Sequence, residues 1–141
     1  MTPTARRVVQ ALLYELGAVA FTGPVLGASF DAPAGSALAL AVLMSTVALA
    51  WNWVFNFLFE RWESAQSVKG RSVLRRITHG TGFEAGLVLI LVPLMAVWLD
   101  TSWRQALLAE LGLLAFFLIY AVAFTWLFDR LFGLPASAMP R

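Results

Sequence analysis

The sequence predicts an all-α integral membrane protein with four transmembrane helices, built from two parallel two-helix repeats. Three observations support this class. Of the 141 residues, 60% are hydrophobic and 13% are charged, which is about half the charged fraction of a typical soluble domain. The hydrophobic residues fall into four long runs, and a membrane-spanning helix needs about 20 such residues. The two halves of the chain also resemble each other.

The four runs are separated by short polar stretches. They cover residues 8–30, 32–59, 77–99 and 105–128. None shows the two-residue alternation of a barrel strand. The second helix is expected to begin near Gly35, after the turn signal at Asp31. The other three runs each contain one charge, namely Glu15, Glu84 and, near an end of its run, Glu110. A cleaved signal peptide is the alternative for the first run, but Glu15 in its apolar part fits that interpretation poorly.

The basic residues predict the orientation in the membrane. Nine of the ten lie on one side of the four runs: Arg6, Arg7, Arg61, Lys69, Arg71, Arg75, Arg76, Arg130 and Arg141. Only Arg104 lies on the other side. Because basic residues are enriched in cytoplasmic loops, we expect both termini in the cytoplasm. The cluster at residues 71–76 also suits contact with lipid phosphates, so the positive charge does not indicate nucleic acid.

The internal repeat is visible when the second half of the sequence is aligned with the first without a gap, here called the repeat alignment. It places Arg6 and Arg7 on Arg75 and Arg76, Glu15 on Glu84, Gly17 on Gly86, Pro24 on Pro93, Asp31 on Asp100, Phe55 on Phe124, Phe59 on Phe128 and Arg61 on Arg130. Residues 1–66 and 67–141 are therefore expected to form one helix pair each within a single membrane domain. Since each pair enters and leaves on the same side, the repeats are parallel and related by a pseudo-twofold axis along the membrane normal.

Two glutamates are candidate proton-coupling residues. Glu15 lies eight residues after Arg7, about 12 Å along a helix, well inside a hydrocarbon layer about 30 Å thick. An ionised carboxylate at this depth costs several kcal/mol, which favours the protonated form unless a cation stabilises the charge. Such a group suits proton exchange. The alternative is a protonated glutamate that only ties helices together. Glu84 repeats the arrangement.

The second run carries two stripes at helical spacing. Asn52, Asn56 and Glu60 form a polar stripe beside the aromatic stripe of Trp51, Phe55 and Phe59. Aromatic faces near a carboxylate suit an organic cation through cation–π attraction and charge pairing. The predicted substrate site consists of Glu15, Trp51, Asn52, Phe55, Asn56, Tyr120 and Phe124. Aromatic stripes are also common packing surfaces, and the asparagines would equally serve as ties between helices.

His79 lies three residues after Arg76 and five before Glu84. It is a candidate proton relay to Glu84, and solvation among lipid headgroups explains it nearly as well. Glu60, Asp129 and Arg76 are further candidates for a relay or gate. The chain has no cysteine and one histidine, so we expect no metal site. No cofactor motif or enzymatic nucleophile is recognisable, and we expect no enzymatic activity.

These motifs together resemble the proteobacterial antimicrobial compound efflux family, also called bacterial transmembrane pair proteins, over about residues 6–133. In that family each half opens with Arg-x-x-His-x-x-x-Phe/Tyr-Glu and closes with an aromatic stripe ending in an acid. The second opening is complete in Arg76, His79, Phe83 and Glu84. The first has Arg7, Tyr14 and Glu15, with Gln10 in place of histidine. The closing motifs are Trp51, Asn52, Asn56, Phe59 and Glu60, and then Tyr120, Phe124, Trp126 and Asp129.

The resemblance implies a proton-driven exporter of hydrophobic cations, such as chlorhexidine, acridine dyes and quaternary or bis-biguanide biocides, with short diamines as further candidates. It also implies that Glu15 is the coupling residue. Because Glu15 follows a more apolar turn than Glu84 does, we expect Glu15 to be the drier site and Glu84 to support structure or substrate access. A transporter of the small multidrug resistance type and a non-transporting scaffold are the alternatives. A homodimer is compatible with so few helices.

Overall fold

The computed structural model describes residues 1–68, 70, 72–135 and 138, and consists of four long helices joined by short turns. The helices are α1 (Pro3–Ser29), α2 (Ala34–Ser64), α3 (Val73–Trp98) and α4 (Trp103–Phe132). All four are long and apolar enough to cross a membrane, so the predicted class is confirmed and the chain is a multi-pass membrane protein. Lys69, Arg71 and Arg141, which contributed to the predicted orientation, lie outside the described residues.

The helices extend beyond the apolar runs because polar residues begin three of them. The side chains of Thr2, Ser72 and Ser102 each accept a hydrogen bond from the backbone N–H three residues later. Such caps satisfy one of the N–H groups that a helix start leaves free. α2 begins at Ala34, one residue before the predicted start at Gly35. Apolar length thus predicted all four helices, and capping side chains mark the starts of α1, α3 and α4.

Both helix pairs turn at equivalent aspartates. Asp31 and Asp100, which the repeat alignment superimposes, both have a φ of 50°. This left-handed conformation is uncommon outside glycine, and aspartate is one of the residues that tolerates it. The following backbone N–H of Ala32 bonds to Gly27 O, and that of Thr101 bonds to the equivalent Ala96 O, each at 3.0 Å. The repeat is therefore present in the backbone as well as in the sequence.

The four helices form a ring in which neighbouring helices pack together. Within the pairs, α1 packs mainly on α2, and α3 packs mainly on α4. The two pairs are joined by contacts between α2 and α3 and by sparser contacts between α1 and α4. α1 and α3 are therefore diagonally opposite. Both turns lie at one end, here called the turn end. The helix ends at Pro3, Ser64, Val73 and Phe132 lie at the other, here called the terminal end.

The tightest packing lies in the half of the bundle next to the turn end. Its centre consists of Leu26, Leu40 and Met95, which are at most 1% exposed. Other members are Ala37, Met44, Leu91, Val92, Ala96, Ala106 and Leu113, so all four helices contribute. On the outer faces, large side chains such as Leu89 and Val97 are 75% and 81% exposed. An apolar exterior of this kind is the surface expected against lipid.

Candidate functional site

A cavity of about 480 Å³ lies among the four helices, beside the packed core. Its polar lining residues are Tyr14, Glu15, Thr22, Ser45, Asn52, Glu84 and Glu110. The rest of the wall is apolar. The volume is in the range of small-molecule sites, and a mostly apolar wall that carries three carboxylates suits an organic cation.

Glu15 lies near the middle of α1, which runs from Pro3 to Ser29. The side chain is half-buried and faces α2, where Ser45 Oγ donates a hydrogen bond to Glu15 Oε2. A hydroxyl donor stabilises carboxylate charge and is most effective where water is scarce. The carboxylate is therefore oriented at the cavity wall by one donor, while both its oxygens can accept further hydrogen bonds.

Glu84 occupies the equivalent position on α3, diagonally across the ring. The position equivalent to Ser45 is Leu114, which offers no hydroxyl group. Glu84 lines the central cavity and also a shallower pocket between α3 and α4, where it is joined by Gly80 and Thr81. The two glutamates thus share one cavity, but their surroundings differ.

Glu110 is a site residue that the sequence analysis did not include among its candidates. It is 4% exposed, lines the same cavity as Glu15 and Glu84, and its buried Oε2 has no hydrogen-bond partner among the described residues. It lies two turns after the start of α4 at Trp103, about 10 Å along the helix. The signal available in the sequence was an acid inside an otherwise uncharged apolar run, because an ionisable residue within a transmembrane segment is a functional candidate.

Two side chains of the predicted substrate site connect the repeats. Trp51 Nε1 donates to Phe83 O at 3.0 Å, and Tyr120 Oη donates to Tyr14 O at 2.9 Å. The repeat alignment superimposes these two bonds. Each ends on the carbonyl of the residue that precedes a cavity glutamate, so the bonds fix α2 on α3 and α4 on α1 at the level of the site.

Phe55 and Phe124 extend the same pattern. The ring of Phe55 lies 5.8 Å from that of Phe83, and the ring of Phe124 lies 5.3 Å from that of Tyr14, both edge to face. Such pairs add to the stability gained from burial. In this structure Trp51, Phe55, Tyr120 and Phe124 are not among the described residues that line the cavity. They form the contacts between helices behind its wall.

The polar stripe of α2 divides between the cavity and a helix contact. Asn52 lines the cavity. Asn56 Nδ2 donates to Asn52 Oδ1 at 2.9 Å, and Asn56 Oδ1 lies 2.7 Å from His79 Nε2. Within the described part of the chain, His79 pairs with Asn56 of α2 rather than with Glu84. The three side chains form a polar series that runs from the cavity toward the terminal end.

Charged side chains lie at the terminal end, where the sequence predicted a relay or gate. Arg6 forms an ion pair with Asp129, donates to Gly133 O at 3.0 Å, and lies over the ring of Phe128 at 5.0 Å. These contacts join α1 to α4. Glu60 and Arg76 are exposed at the same end.

A family model described as "Chlorhexidine efflux transporter" matches the chain twice, at residues 2–65 and 71–134. The two matched stretches have the same offset as the repeat alignment. The chain is similar to proteins named "Short-chain diamines transporter". The one from Vibrio parahaemolyticus is 37% identical over 88% of both chains. Those from Acinetobacter baylyi and Acinetobacter baumannii are 33% and 30% identical over 93% of this chain and 92% and 90% of theirs.

No solved structure matches the chain. The family predicted from the four motifs is confirmed by the double match and by relatives that align over most of the sequence. Both findings indicate a transporter. The protein belongs to the bacterial transmembrane pair family of efflux transporters, the proteobacterial antimicrobial compound efflux family.

Proposed function

We propose that the protein is a proton-coupled antiporter that exports organic cations across the bacterial inner membrane, with the terminal end in the cytoplasm. The observation that carries this proposal is a carboxylate, Glu15, in the middle of a transmembrane helix and at the wall of a cavity of small-molecule size. The names of the family and of the relatives point to chlorhexidine and short diamines as substrates. Acridine dyes and quaternary biocides extend the proposed range.

Exchange at Glu15 would couple the two fluxes. In a site with little water, the charge of a carboxylate is neutralised either by a proton or by a bound cation, and losing both leaves a costly buried charge. A cation arriving from the cytoplasm therefore displaces the proton. A proton arriving from outside displaces the cation, so inward proton movement drives outward movement of the substrate.

We assign the coupling to Glu15 and an accessory role to Glu84. Glu15 is held by Ser45, whereas Glu84 borders both the central cavity and the shallower pocket beside Gly80. A carboxylate reached from two sides is suited to hydration and to attracting a cation toward the central cavity. This difference supports assigning different roles to the two glutamates.

The aromatic side chains would contact substrate at another stage of the cycle. Trp51 and Tyr120 tie the repeats together near the site, and α1 packs only sparsely on α4. We propose that separation of the helices at the terminal end exposes these rings, together with Phe55 and Phe124, to an entering cation. His79 would then carry protons between the cavity and the cytoplasm, with its ring oriented by Asn56.

The proposed function is tested by transport into proteoliposomes with an imposed pH gradient. Proteoliposomes that are acidic inside, and in which the terminal end of the protein faces outward, should accumulate 1,5-diaminopentane, chlorhexidine or an acridine dye. An internal pH indicator should report the accompanying loss of protons. Dissipating the gradient with an ionophore should abolish the accumulation. Cation movement without proton movement would exclude coupling, and neither movement would favour the scaffold alternative.

Different effects are expected from replacing the two asparagines of α2 by leucine. Asn52→Leu removes a polar group from the cavity wall and should weaken cation transport by about five- to tenfold, as expected for losing one hydrogen bond. Asn56→Leu removes the hydrogen bond between Asn56 and His79. It should therefore lower the thermal unfolding temperature more than Asn52→Leu does. Thermal unfolding and transport are measured on the same preparations. Equal transport by wild type and Asn52→Leu would show that Asn52 does not serve the site.

A further inference from the structure

We propose that Glu110 is a second cation-binding carboxylate, which makes the cavity prefer substrates with two positive charges to substrates with one. The inference rests on the proposed function and adds a specificity-determining residue to it. Glu110 lines the cavity, is 4% exposed, and has a buried Oε2 without a partner among the described residues. Leaving such an atom unpaired is costly, so a ligand group that donates hydrogen bonds to it would be strongly favoured.

The fold does not otherwise account for an acid at this position. Glu110 lies two turns into α4, beyond the first turn in which the helix dipole stabilises negative charge. The equivalent position in the first repeat is Ala41, which is 2% exposed and lines the same cavity. Since one repeat builds this part of the wall with alanine, the packing of the bundle does not require a carboxylate there.

The carboxylates lie at two depths in the bundle. Glu84 lies about four helical turns before Trp98, the residue at which α3 reaches the turn end. Glu110 lies about two helical turns after Trp103, the residue at which α4 begins at the same end. At the rise of an α-helix, Glu110 is therefore about 10 Å closer to the turn end than Glu84 is. Glu15 lies at the same depth as Glu84, because its distance along α1 from the helix end at Ser29 is the same.

Two separated anionic groups fit a ligand with a positive charge at each end. Standard bond lengths place the nitrogens of a four- or five-carbon α,ω-diamine about 6 to 8 Å apart, and a charge-assisted hydrogen bond adds about 2.8 Å at each end. A diamine aligned with the bundle axis thus spans the two depths. One ammonium pairs with Glu15 and the other with Glu110. A monoamine leaves one of the two carboxylates unpaired and should bind more weakly.

The test compares the binding of 1,5-diaminopentane and 1-aminopentane to the full-length purified protein by calorimetry at one pH and ionic strength. Wild type should bind the diamine at least about tenfold more tightly, as expected for one additional charge pair. Glu110→Gln preserves the shape of the side chain and should remove this preference, with the affinity for the monoamine unchanged within about twofold. Asp100→Asn, an exposed change at the turn end, is the matched control and should retain the preference.

Glu110→Asp provides a readout that a structural role would not produce. It keeps the charge but withdraws the carboxylate by one methylene, so the preferred diamine should become one carbon longer. Full diamine preference in Glu110→Gln would overturn the inference and leave the antiporter proposal standing, since cation transport by wild type is measured separately. Absence of amine transport by wild type would overturn both. Failure of both variants to fold would assign Glu110 to structure and also contradict the inference.

Discussion

Replacing Glu15 by glutamine is expected to reduce proton-driven cation export by at least about 100-fold, because removing one member of a buried charge pair costs several kcal/mol. The amide keeps the size of the side chain and can still accept a hydrogen bond from Ser45 Oγ. It cannot exchange a proton or balance the charge of a cation. Folding and membrane insertion should therefore be preserved, and the loss should be specific to coupled transport.

The matched control is Glu84→Gln, which makes the same change at the repeat-equivalent position of the same cavity. Protons and cations compete at the coupling residue, so wild-type cation affinity should fall as the pH falls, by up to about tenfold per unit. Glu15→Gln should bind cations weakly at every pH, whereas Glu84→Gln should keep the pH dependence. A pH dependence that survives in Glu15→Gln but disappears in Glu84→Gln would reverse the assignment of the two roles.

Three features could be predicted because they can be found from the order of residues along the chain. They are the number of helices, the repeat, and two of the three cavity carboxylates. Long apolar runs identify transmembrane helices, and the repeat alignment identifies Glu15 and Glu84 as equivalent. The contact of Glu15 with Ser45 was not predictable. It depends on how α1 and α2 are rotated against each other, and apolar length does not encode that rotation.

The surroundings of the aromatic stripes could not be predicted from the sequence either. Helical spacing correctly places Trp51 and Phe55 on one face of α2, but it does not say whether that face borders a cavity or a neighbouring helix. In the structure it meets α3. The burial of Glu110 was not predictable for another reason. Its run begins at residue 105, which makes Glu110 look terminal, yet the helix begins at Trp103 and the surrounding helices bury the side chain.

Gly86→Ala is expected to destabilise the protein, because a Cβ atom at this position would collide with the indole ring of Trp51. The ring cannot move freely, since its Nε1 donates to Phe83 O and its centre lies 5.5 Å from the centre of the Phe55 ring. Overpacking of this kind costs about 1–3 kcal/mol, which exceeds the gain of at most about 1 kcal/mol from replacing glycine by alanine within a helix. The thermal unfolding temperature in detergent should fall.

Gly112→Ala is the matched control, because it lies inside α4 and a Cβ atom there would meet no atom within 4 Å. It should leave the unfolding temperature unchanged or raise it. The cause of the loss at Gly86 is tested by the double variant Gly86→Ala with Trp51→Phe, in which a smaller ring makes room for the new methyl group. If the collision with Trp51 causes the loss, the double variant should be more stable than the sum of the two single changes predicts. If the two changes in stability are purely additive, the collision with the Trp51 indole is not the cause of the loss at Gly86.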